Sequence, residues 1–342
     1  MSGRASQERG PEELSERSRE MQPRAGVIVD NHLPADFLSA ALRADVRRGL
    51  TASPKWLPPK WFYDNRGSEL FDEITRLPEY YPTRAERSIL VERAGDIASL
   101  SQADTLVELG AGSADKTRLL LNTGAFRCFV PVDVSEGALR QAATTILADY
   151  PALGVHAVVA DFEQHLGKLP NGGRRMVAFL GGTIGNLVPD ERAVFLRSVR
   201  QTLQPGETLL LGTDLVKSPD ILIPAYDDAA GVTAEFNKNV LRVINRELKA
   251  DFDPDEFAHV AIWDAEAEWI EMRLRSLRDQ RVRVELLNLD VSFARGEQLR
   301  TEVSAKFRRD GIMAELEAAG FQPTQWWTDR DGLFGLSLAA AR

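Results

Sequence analysis

The chain has 342 residues, of which 44% are apolar and 27% are charged. These values are typical of a globular protein of about two domains and exclude a fibrous or largely disordered chain. The formal net charge of −9 disfavours binding to a nucleic-acid backbone. Cys128 is the single cysteine, and the four histidines lack metal-ligand spacing. We therefore expect a cytoplasmic protein without a disulfide or a metal.

The sequence contains neither the apolar stretch of a signal peptide nor that of a membrane span. Residues 1–26 contain no apolar stretch long enough for a signal peptide, and we expect them to form a disordered leader. No run of 18 apolar residues occurs in the chain, so no membrane span is expected. We expect neither a membrane nor a nucleic acid as partner, and we take a monomer as the default.

The first predicted element is a helix, because Leu42 and Val46 recur every fourth residue on one face. Residues 54–86 follow and are dense in proline and aromatic side chains. That composition resists a regular helix and favours rigid loops that line a pocket. At the end of this segment, Thr83 and Glu86 have the spacing of a capping box, which predicts a helix that begins just after Thr83.

Short apolar runs then alternate with helical patterns as far as Asp214. The runs are TLVEL, FVPVDV, HAVVADF, RRMVAFLGG and ETLLLGTD. Strands joined by helices predict a parallel sheet covered on both faces. After Asp214 a long helix is expected from Thr233 to Lys249, followed by alternating runs typical of antiparallel strands. A last helix and two closing strands complete the chain, so the middle segment reads as an insertion.

The strongest motif is VELGAGSADKT, at the turn from the first of these strands into a helix. Gly110 and Gly112 permit the positive φ and close backbone approach of a nucleotide-binding turn, although a turn without a ligand fits the glycines equally well. Asp133 ends the second strand, where a carboxylate can accept hydrogen bonds from ribose hydroxyls. Asp161 and Phe162 end the third strand, beside a possible adenine. Together these residues predict a nucleoside site.

The acidic character of this turn argues against a dinucleotide. The third position of a dinucleotide fingerprint is occupied by Asp115, a poor neighbour for phosphate. A cationic sulfonium nucleoside fits better. The glycine motif, preceded by Glu108, resembles motif I of the class I S-adenosylmethionine-dependent methyltransferases. This resemblance implies a Rossmann-like α/β fold with a seven-stranded, mostly parallel sheet, whose last strand is antiparallel and whose two faces carry helices.

A narrower resemblance rests on several longer segments. They are LPPKWFYDNRGSELFDEITRLPEYYPTRAE, TLVELGAGSADKTRLLL, FLGGTIGNLVP, LLLGTDLVK, AYDDAAGVTAEFNKNVL and TEVSAKF. These segments resemble the histidine-specific methyltransferases of ergothioneine biosynthesis from about residue 28 to the C-terminus. The resemblance implies transfer of three methyl groups from S-adenosylmethionine to the α-amino group of L-histidine, which gives hercynine through Nα-methylated intermediates.

The same resemblance implies the site residues, position by position. The cofactor residues are Gly110, Gly112, Lys116, Asp133, Asp161 and Phe162. The residues expected to bind the amino acid are Tyr63, Tyr80, Thr183, Asn186, Tyr226, Met272, Glu302 and Ser304. Among these, Asn186 and Tyr226 are expected at the α-carboxylate, and Tyr80, Glu302 and Ser304 around the imidazole. Tyr63 is the candidate catalytic residue, since it is expected to position the amine; no general base is assigned.

The residues alone leave other roles open for several of these side chains. A cap for the helix that follows is an equally good role for Asn186 on the sequence alone. Glu302 and Ser304 alternate on a strand and therefore share a side, which is also the pattern of a polar outer face. Tyr80 and Tyr226 fit ordinary tyrosines between core and surface.

The expected domain organisation is discontinuous. Residues 27–84 and 215–303 form an α+β substrate-binding domain, and residues 85–214 and 304–342 form the methyltransferase domain. Three alternative functions remain at this point. The arginine-rich stretch RLRSLRDQRVR is compatible with an RNA methyltransferase, although a solvated hairpin is favoured. A non-catalytic module that binds S-adenosylmethionine, or an enzyme for another amino acid, also fits the motifs.

Overall fold

A computed structural model describes residues 27–112 and 114–342. The expected leader, residues 1–26, lies outside the described residues. The strands are β1 (Val27–Asn31), β2 (Thr105–Leu109), β3 (Cys128–Asp133), β4 (Gly154–Val159), β5 (Arg175–Phe179), β6 (Thr208–Asp214), β7 (Phe257–Asp264), β8 (Trp269–Ser276), β9 (Gln280–Val284), β10 (Leu289–Phe293), β11 (Gln298–Ala305), β12 (Phe321–Thr328) and β13 (Phe334–Ala341).

The α-helices connect these strands and cover the sheets. They are α1 (Phe37–Thr51), α2 (Asn65–Ile74), α3 (Pro82–Ser101), α4 (Thr117–Leu121), α5 (Glu136–Asp149), α6 (Pro189–Thr202), α7 (Pro219–Tyr226), α8 (Val232–Leu248) and α9 (Arg309–Ala318). The long helix expected in the insertion is α8, and its bounds differ by one residue at each end from the prediction. Within the described ranges, no helix is both long and apolar enough to cross a membrane.

The central sheet has eight strands in the order β1-β4-β3-β2-β5-β6-β13-β12. The strands from β1 to β6 are parallel, and β13 lies antiparallel between β6 and β12. The prediction of a mostly parallel sheet whose last strand is antiparallel is confirmed. The expected count of seven is wrong, because β1 adds an edge strand beside β4. Five residues of local sequence do not indicate pairing with a strand so distant in the chain.

Two expectations for residues 54–86 are also wrong. This segment contains a regular helix, α2, which is stabilised at its start by the Asp64 side chain accepting from the backbone N–H of Gly67 at 2.8 Å. The next helix, α3, begins at Pro82 without a side-chain cap, and Glu86 is fully buried. Local capping therefore did not decide the position of Glu86, because this carboxylate is held by groups elsewhere in the fold.

The strands of the insertion form two smaller sheets, with β11 completing one of them. One has the order β11-β8-β7, and β9 forms an antiparallel hairpin with β10. Buried side chains of α1 and α2 share one hydrophobic cluster with α8 and these strands. The Asn239 amide of α8 also donates to the Phe62 carbonyl at 2.9 Å and to Asp64 at 2.8 Å. The N-terminal segment and the insertion thus pack together, although β1 joins the central sheet. The division into two domains stays a prediction.

The arginine-rich stretch runs from β8 into β9 of these smaller sheets. Arg281 and Arg283 of β9 both pair with Asp290 of β10, at 3.1 and 2.7 Å. Arg273 of β8 donates to Glu271 at 2.6 Å. These three guanidinium groups are paired with carboxylates of the same sheets, as expected for a solvated hairpin.

Candidate active site

The carboxyl ends of the parallel strands bring the predicted cofactor residues to one edge of the central sheet. Gly110 and Gly112 follow β2 with φ values of 72° and 48°, in the left-handed region that glycine adopts without strain. Asp133 ends β3, and Asp161 follows β4. Ligands of open parallel sheets bind outside these carboxyl ends. The four residues therefore surround the position expected for a nucleoside.

Asp133 is half-buried beside the glycine turn. Its Oδ1 atom accepts from the backbone N–H of Ser135 at 3.0 Å. Burial raises the pKa of Asp133, while the backbone N–H groups of Ser135, Gly112 and Val134 oppose this rise. A carboxylate held by backbone donors in this place is suited to accept hydrogen bonds from ribose hydroxyls.

Asp161 and Phe162 have more local contacts than the sequence indicates. The Asp161 carboxylate accepts from the backbone N–H of Glu163 at 2.8 Å and from the side-chain amide of Gln164 at 3.1 Å, so it also orders its own loop. The Phe162 ring is partly exposed, and a Cβ atom added to Gly110 would lie 3.8 Å from it. An apolar ring next to the glycine turn is placed to contact a nucleobase.

Glu108 of β2 indicates which charge a ligand at this edge of the central sheet should carry. The carboxylate is buried, and within residues 27–112 and 114–342 its Oε2 atom has no hydrogen-bond partner. Burial raises the pKa of Glu108 to about 7, against the opposing effects of the Thr117 hydroxyl and of the positive charge of Lys116. A buried carboxylate with one unpartnered oxygen beside an acidic glycine turn fits a ligand with cationic groups. The sulfonium and ammonium of S-adenosylmethionine have that character.

Glu86 is a residue of this site that the sequence analysis assigned to a helix cap. Its carboxylate accepts from the backbone N–H of Gly181 at 2.8 and 3.0 Å and from the ammonium of Lys116. It therefore ties the first helix of the cofactor motif to the loop after β5. A sequence signal existed, because Glu86 shares a helix face with the buried Ile89 and Leu90.

The eight side chains expected to bind the amino acid line one pocket, next to the loop after β5. They are Tyr63, Tyr80, Thr183, Asn186, Tyr226, Met272, Glu302 and Ser304. The glycines Gly181 and Gly182 of this loop also line the pocket, so the pocket adjoins the Lys116 end of the cofactor site. Sequence reasoning missed several lining residues, namely Phe71, Asp214, Thr233 and Phe236.

Strand β11 carries the two polar side chains at one end of the pocket. Glu302 lies opposite Met272 of β8, and Ser304 lies opposite Ile270, with an irregularity in register between Arg300 and Glu302. Glu302 is half-buried and Ser304 is buried, and both line the pocket. The alternative of a solvated outer face is therefore wrong. Burial raises the pKa of Glu302 to about 7, and the charge of Lys306 opposes the rise.

Three tyrosines surround this carboxylate. Burial raises the pKa values of Tyr63, Tyr80 and Tyr226, and the negative charge of Glu302 adds to each rise. Tyr63 as a whole is 49% exposed, but the groups around its hydroxyl still raise its pKa. All three phenols are protonated at neutral pH. Tyr63 is therefore suited to hold an amine by hydrogen bonding and is unsuited to act as a general base.

A buried ionic network lies behind the pocket and reaches its wall through Asp214. Asp214 is held between two ammonium groups, Lys217 at 2.5 Å and Lys306 at 2.9 Å, and it accepts from the Tyr81 hydroxyl at 2.8 and 2.9 Å. Lys306 is 0% exposed. These residues lie in segments that carry the family resemblance, but no role was expected for them from the sequence.

Among the residues the structure describes, no group of three His, Cys, Asp or Glu side chains is placed to hold a metal ion. What the fold and site define is a class I S-adenosylmethionine-dependent methyltransferase with a polar pocket beside the carboxyl ends of its parallel strands. The model of a family described as histidine-specific, S-adenosylmethionine-dependent methyltransferase matches residues 42–341. The chain belongs to that family.

Relatives of known name extend over nearly the whole chain. It is 59% identical to a histidine N-alpha-methyltransferase from Mycolicibacterium smegmatis, over 90% of this chain and 98% of that protein. It is 57% identical to the protein of the same name from Mycobacterium tuberculosis, over 92% and 99% of the two chains. An ergothioneine biosynthesis protein 1 from Neurospora crassa is 27% identical over 84% of this chain and 33% of its own length.

The cofactor role of Asp133 is tested by its replacement. Asp133→Ala is expected to weaken S-adenosylmethionine binding by about 1.5–3 kcal/mol, the range for hydrogen bonds to a charged group. That is about a 10- to 150-fold rise in Kd. Isothermal calorimetry of the folded variant measures it, with Asp115→Ala, an exposed acid of the same turn, as the control. An unchanged Kd for Asp133→Ala would place the nucleoside elsewhere.

Proposed function

We propose that this chain trimethylates the α-amino group of L-histidine with S-adenosylmethionine, giving hercynine, the first step of ergothioneine biosynthesis. The observation that carries the proposal is a polar pocket beside the cofactor edge in which Glu302 supplies a carboxylate and Ser304 a hydroxyl on one face of β11. A neutral imidazole has one N–H donor and one nitrogen acceptor. The two side chains match that pair of groups.

The proposed binding mode divides the pocket between the two ends of the amino acid. The α-carboxylate is bound by the Asn186 amide and the Tyr226 hydroxyl, and Tyr63 holds the amine near the cofactor edge. Thr183 precedes Asn186 in the short helical turn after β5, and its hydroxyl is held by the Leu180 carbonyl at 3.1 Å. This bond fixes the turn that carries the amide.

The imidazole end is proposed to lie between β11 and the N-terminal segment. Glu302 accepts the ring N–H, Ser304 donates to the other nitrogen, and Tyr80 and Met272 close the sides. Tyr80 contacts Tyr226 edge to face, with the ring centroids 6.4 Å apart. This packing links the imidazole end of the pocket to the carboxylate end.

Methyl transfer requires mainly that the acceptor be held in line. S-adenosylmethionine, when bound, supplies a sulfonium-activated methyl group. The chain's own task is to hold a neutral amine at near-attack distance, for which Tyr63 and the carboxylate contacts serve. Successive methylation turns the amine into a permanent cation, so the mono- and dimethylated histidines are intermediates. The rings of Tyr63, Phe71 and Phe236, 5.4 to 5.9 Å apart, provide faces that attract such a cation.

The deciding experiment is incubation with methyl-labelled S-adenosylmethionine and a mixture of the twenty amino acids. We expect label in histidine carrying up to three methyl groups at the α-nitrogen, identified by mass spectrometry. Label in another amino acid would contradict the proposed substrate. In a parallel incubation with RNA, label in the RNA would favour a nucleic-acid methyltransferase. Cofactor binding without any transfer would indicate a non-catalytic module.

The serine of the imidazole end allows a smaller, graded test. Ser304→Ala removes a neutral hydroxyl, which contributes about 0.5–1.5 kcal/mol. We therefore expect kcat/KM for histidine to fall about 2- to 13-fold, with the Kd of S-adenosylmethionine unchanged. Steady-state kinetics provide the first value and calorimetry the second. A loss confined to cofactor binding would contradict the assignment.

The expected monomer and cytoplasmic location stay predictions. Size-exclusion chromatography with light scattering measures the first directly. A mass of about one chain, 38.0 kDa, is the expected result.

A further inference from the structure

Lys306 lies behind the pocket, and its ammonium has three hydrogen-bond acceptors. Its ammonium donates to Asp214 Oδ2 at 2.9 Å, to the Tyr226 hydroxyl at 2.8 Å and to Ser304 Oγ at 2.8 Å. An ammonium has three N–H donors, so these three contacts use all of them. The ammonium also lies 4.5 Å from the centre of the Tyr226 ring. Lys306 thus has a single orientation.

The hydrogen-bonding sense of the two hydroxyls follows from this orientation. The oxygens of Tyr226 and Ser304 both accept from Lys306, and they lie 2.8 Å from each other. Because each oxygen accepts from Lys306, its own proton points away from the ammonium, either into the mutual contact or into the pocket that both residues line. A substrate with an acceptor for each hydroxyl takes both protons. The pair consequently offers the pocket a donor, while Glu302 beside it offers an acceptor when ionised.

We propose that Lys306 is a positioning residue that fixes Tyr226 and Ser304 as donors toward the substrate and thereby makes the pocket select a ring with one donor and one acceptor nitrogen. This inference rests on the proposed function, since it explains how the same pocket recognises a neutral imidazole. Without the ammonium, the two hydroxyls still contact each other, but neither oxygen is occupied by an N–H donor, so each can accept from the substrate instead of donating to it. The preference for histidine over an analogue whose ring has no nitrogen is then smaller.

Lys306 also supports the acceptor side of the pocket through its charge. Its positive charge opposes the burial that raises the pKa of Glu302 to about 7. The other groups that act on this part of the pocket are the phenols Tyr63, Tyr80 and Tyr226 and the ion pair of Asp214 with Lys217. Tyrosines stay neutral, and Asp214 is paired, so removal of Lys306 is expected to make Glu302 harder to ionise.

A matched control exists within the same network. Lys217 is a second buried lysine on the same carboxylate, 7% exposed, and its remaining contacts are the Tyr81 hydroxyl at 2.7 Å and the Leu215 carbonyl. It touches neither Tyr226 nor Ser304 in the structure. Lys217→Met therefore reproduces the loss of a buried charge without the loss of a donor to the pocket hydroxyls.

The experiment compares Lys306→Met, Lys217→Met and wild type with L-histidine and with thienylalanine, an analogue whose ring has the size of imidazole but no nitrogen. For Lys306→Met we expect the KM of histidine to rise about tenfold or more, the equivalent of a lost hydrogen bond to a charged group. The preference for histidine over thienylalanine should fall by a similar factor, and the Kd of S-adenosylmethionine should not change. A purely structural role would lower the active fraction, and so kcat, in both variants without raising KM.

The pH profile gives an independent readout. In wild type, kcat/KM for histidine should fall below about pH 7, where Glu302 becomes protonated. In Lys306→Met this acid limb should move to higher pH, because the charge that favours ionised Glu302 is gone. The titration of free histidine is the same in both experiments, so it cannot produce the difference.

The outcomes separate this inference from the proposed function. Should Lys306→Met fail to fold, Lys306→Gln decides by the same measurements, because it removes the charge and leaves an N–H donor; its acid limb should also move upward. Wild-type KM, ring preference and pH profile in the folded variant would overturn the role of Lys306. A wild-type protein that does not methylate histidine would overturn the proposed function instead.

Discussion

Asp214→Ala is expected to lower the free energy of unfolding by about 3–5 kcal/mol, the cost of removing one partner from a buried ion pair. Asp214 is 4% exposed and is the carboxylate to which Lys217 and Lys306 are both paired. Its removal leaves two ammonium groups buried and also removes the acceptor of the Tyr81 hydroxyl. Urea unfolding followed by tryptophan fluorescence measures the change.

The control for this experiment is an exposed ion pair of α3. Asp96 accepts from Arg93 at 3.4 Å and is 56% exposed, so Asp96→Ala should cost at most about 1 kcal/mol. If Asp214→Ala costs no more than Asp96→Ala, the network behind the pocket does not stabilise the fold as the geometry indicates.

The pH dependence of the Asp214 effect has a definite sign. Burial opposes ionisation of Asp214, but Lys306 and Lys217 outweigh it and lower the pKa. A lowered carboxylate pKa contributes stability that is complete above the pKa of the unfolded chain, about 3.9, and is lost as the pH falls through the folded value. The difference between wild type and Asp214→Ala should therefore be full at pH 7 and should shrink below about pH 4.

The parts of the fold that the sequence predicted are those with strong local patterns. Alternation of apolar runs and helices between β2 and β6 indicates a parallel sheet by itself, and the Ser135 cap marks the start of α5. The missed elements depend on distant partners. Strand β1 exists because β4 is available at the sheet edge. Glu86 matches a capping box in spacing, yet its carboxylate is bound by Lys116 and Gly181.

The candidate site divides in the same way. The residues expected at the substrate came from resemblance to a family, and the fold brings all eight to one pocket. The network behind them was not predicted. Asp214 ends β6 and Lys306 follows β11, and no local periodicity shows that these two ends meet. The signal available in the sequence is a single charge beside each apolar strand, which is equally typical of a solvated strand end.

Glu302→Ala is expected to lower kcat/KM for histidine by about 10- to 150-fold, because it removes a charge-assisted hydrogen bond worth about 1.5–3 kcal/mol. The loss should appear mainly in KM, since the ring is bound equally in the ground state and the transition state. Discrimination against amino acids without the ring should fall by a similar factor. The Kd of S-adenosylmethionine should stay at the wild-type value.

Two further variants identify what Glu302 contributes. Glu302→Gln keeps the size and an oxygen acceptor but cannot ionise, so the acid limb near pH 7 should disappear from its kcat/KM profile. Glu271→Ala is the matched control, because Glu271 is a buried carboxylate of the adjacent strand β8 that is bound by Trp269 and Arg273 and does not line the pocket. Its loss should reduce stability and leave the KM of histidine unchanged. If Glu302→Ala retains wild-type efficiency and preference while remaining folded, Glu302 does not read the imidazole, and the pocket selects its substrate through other side chains.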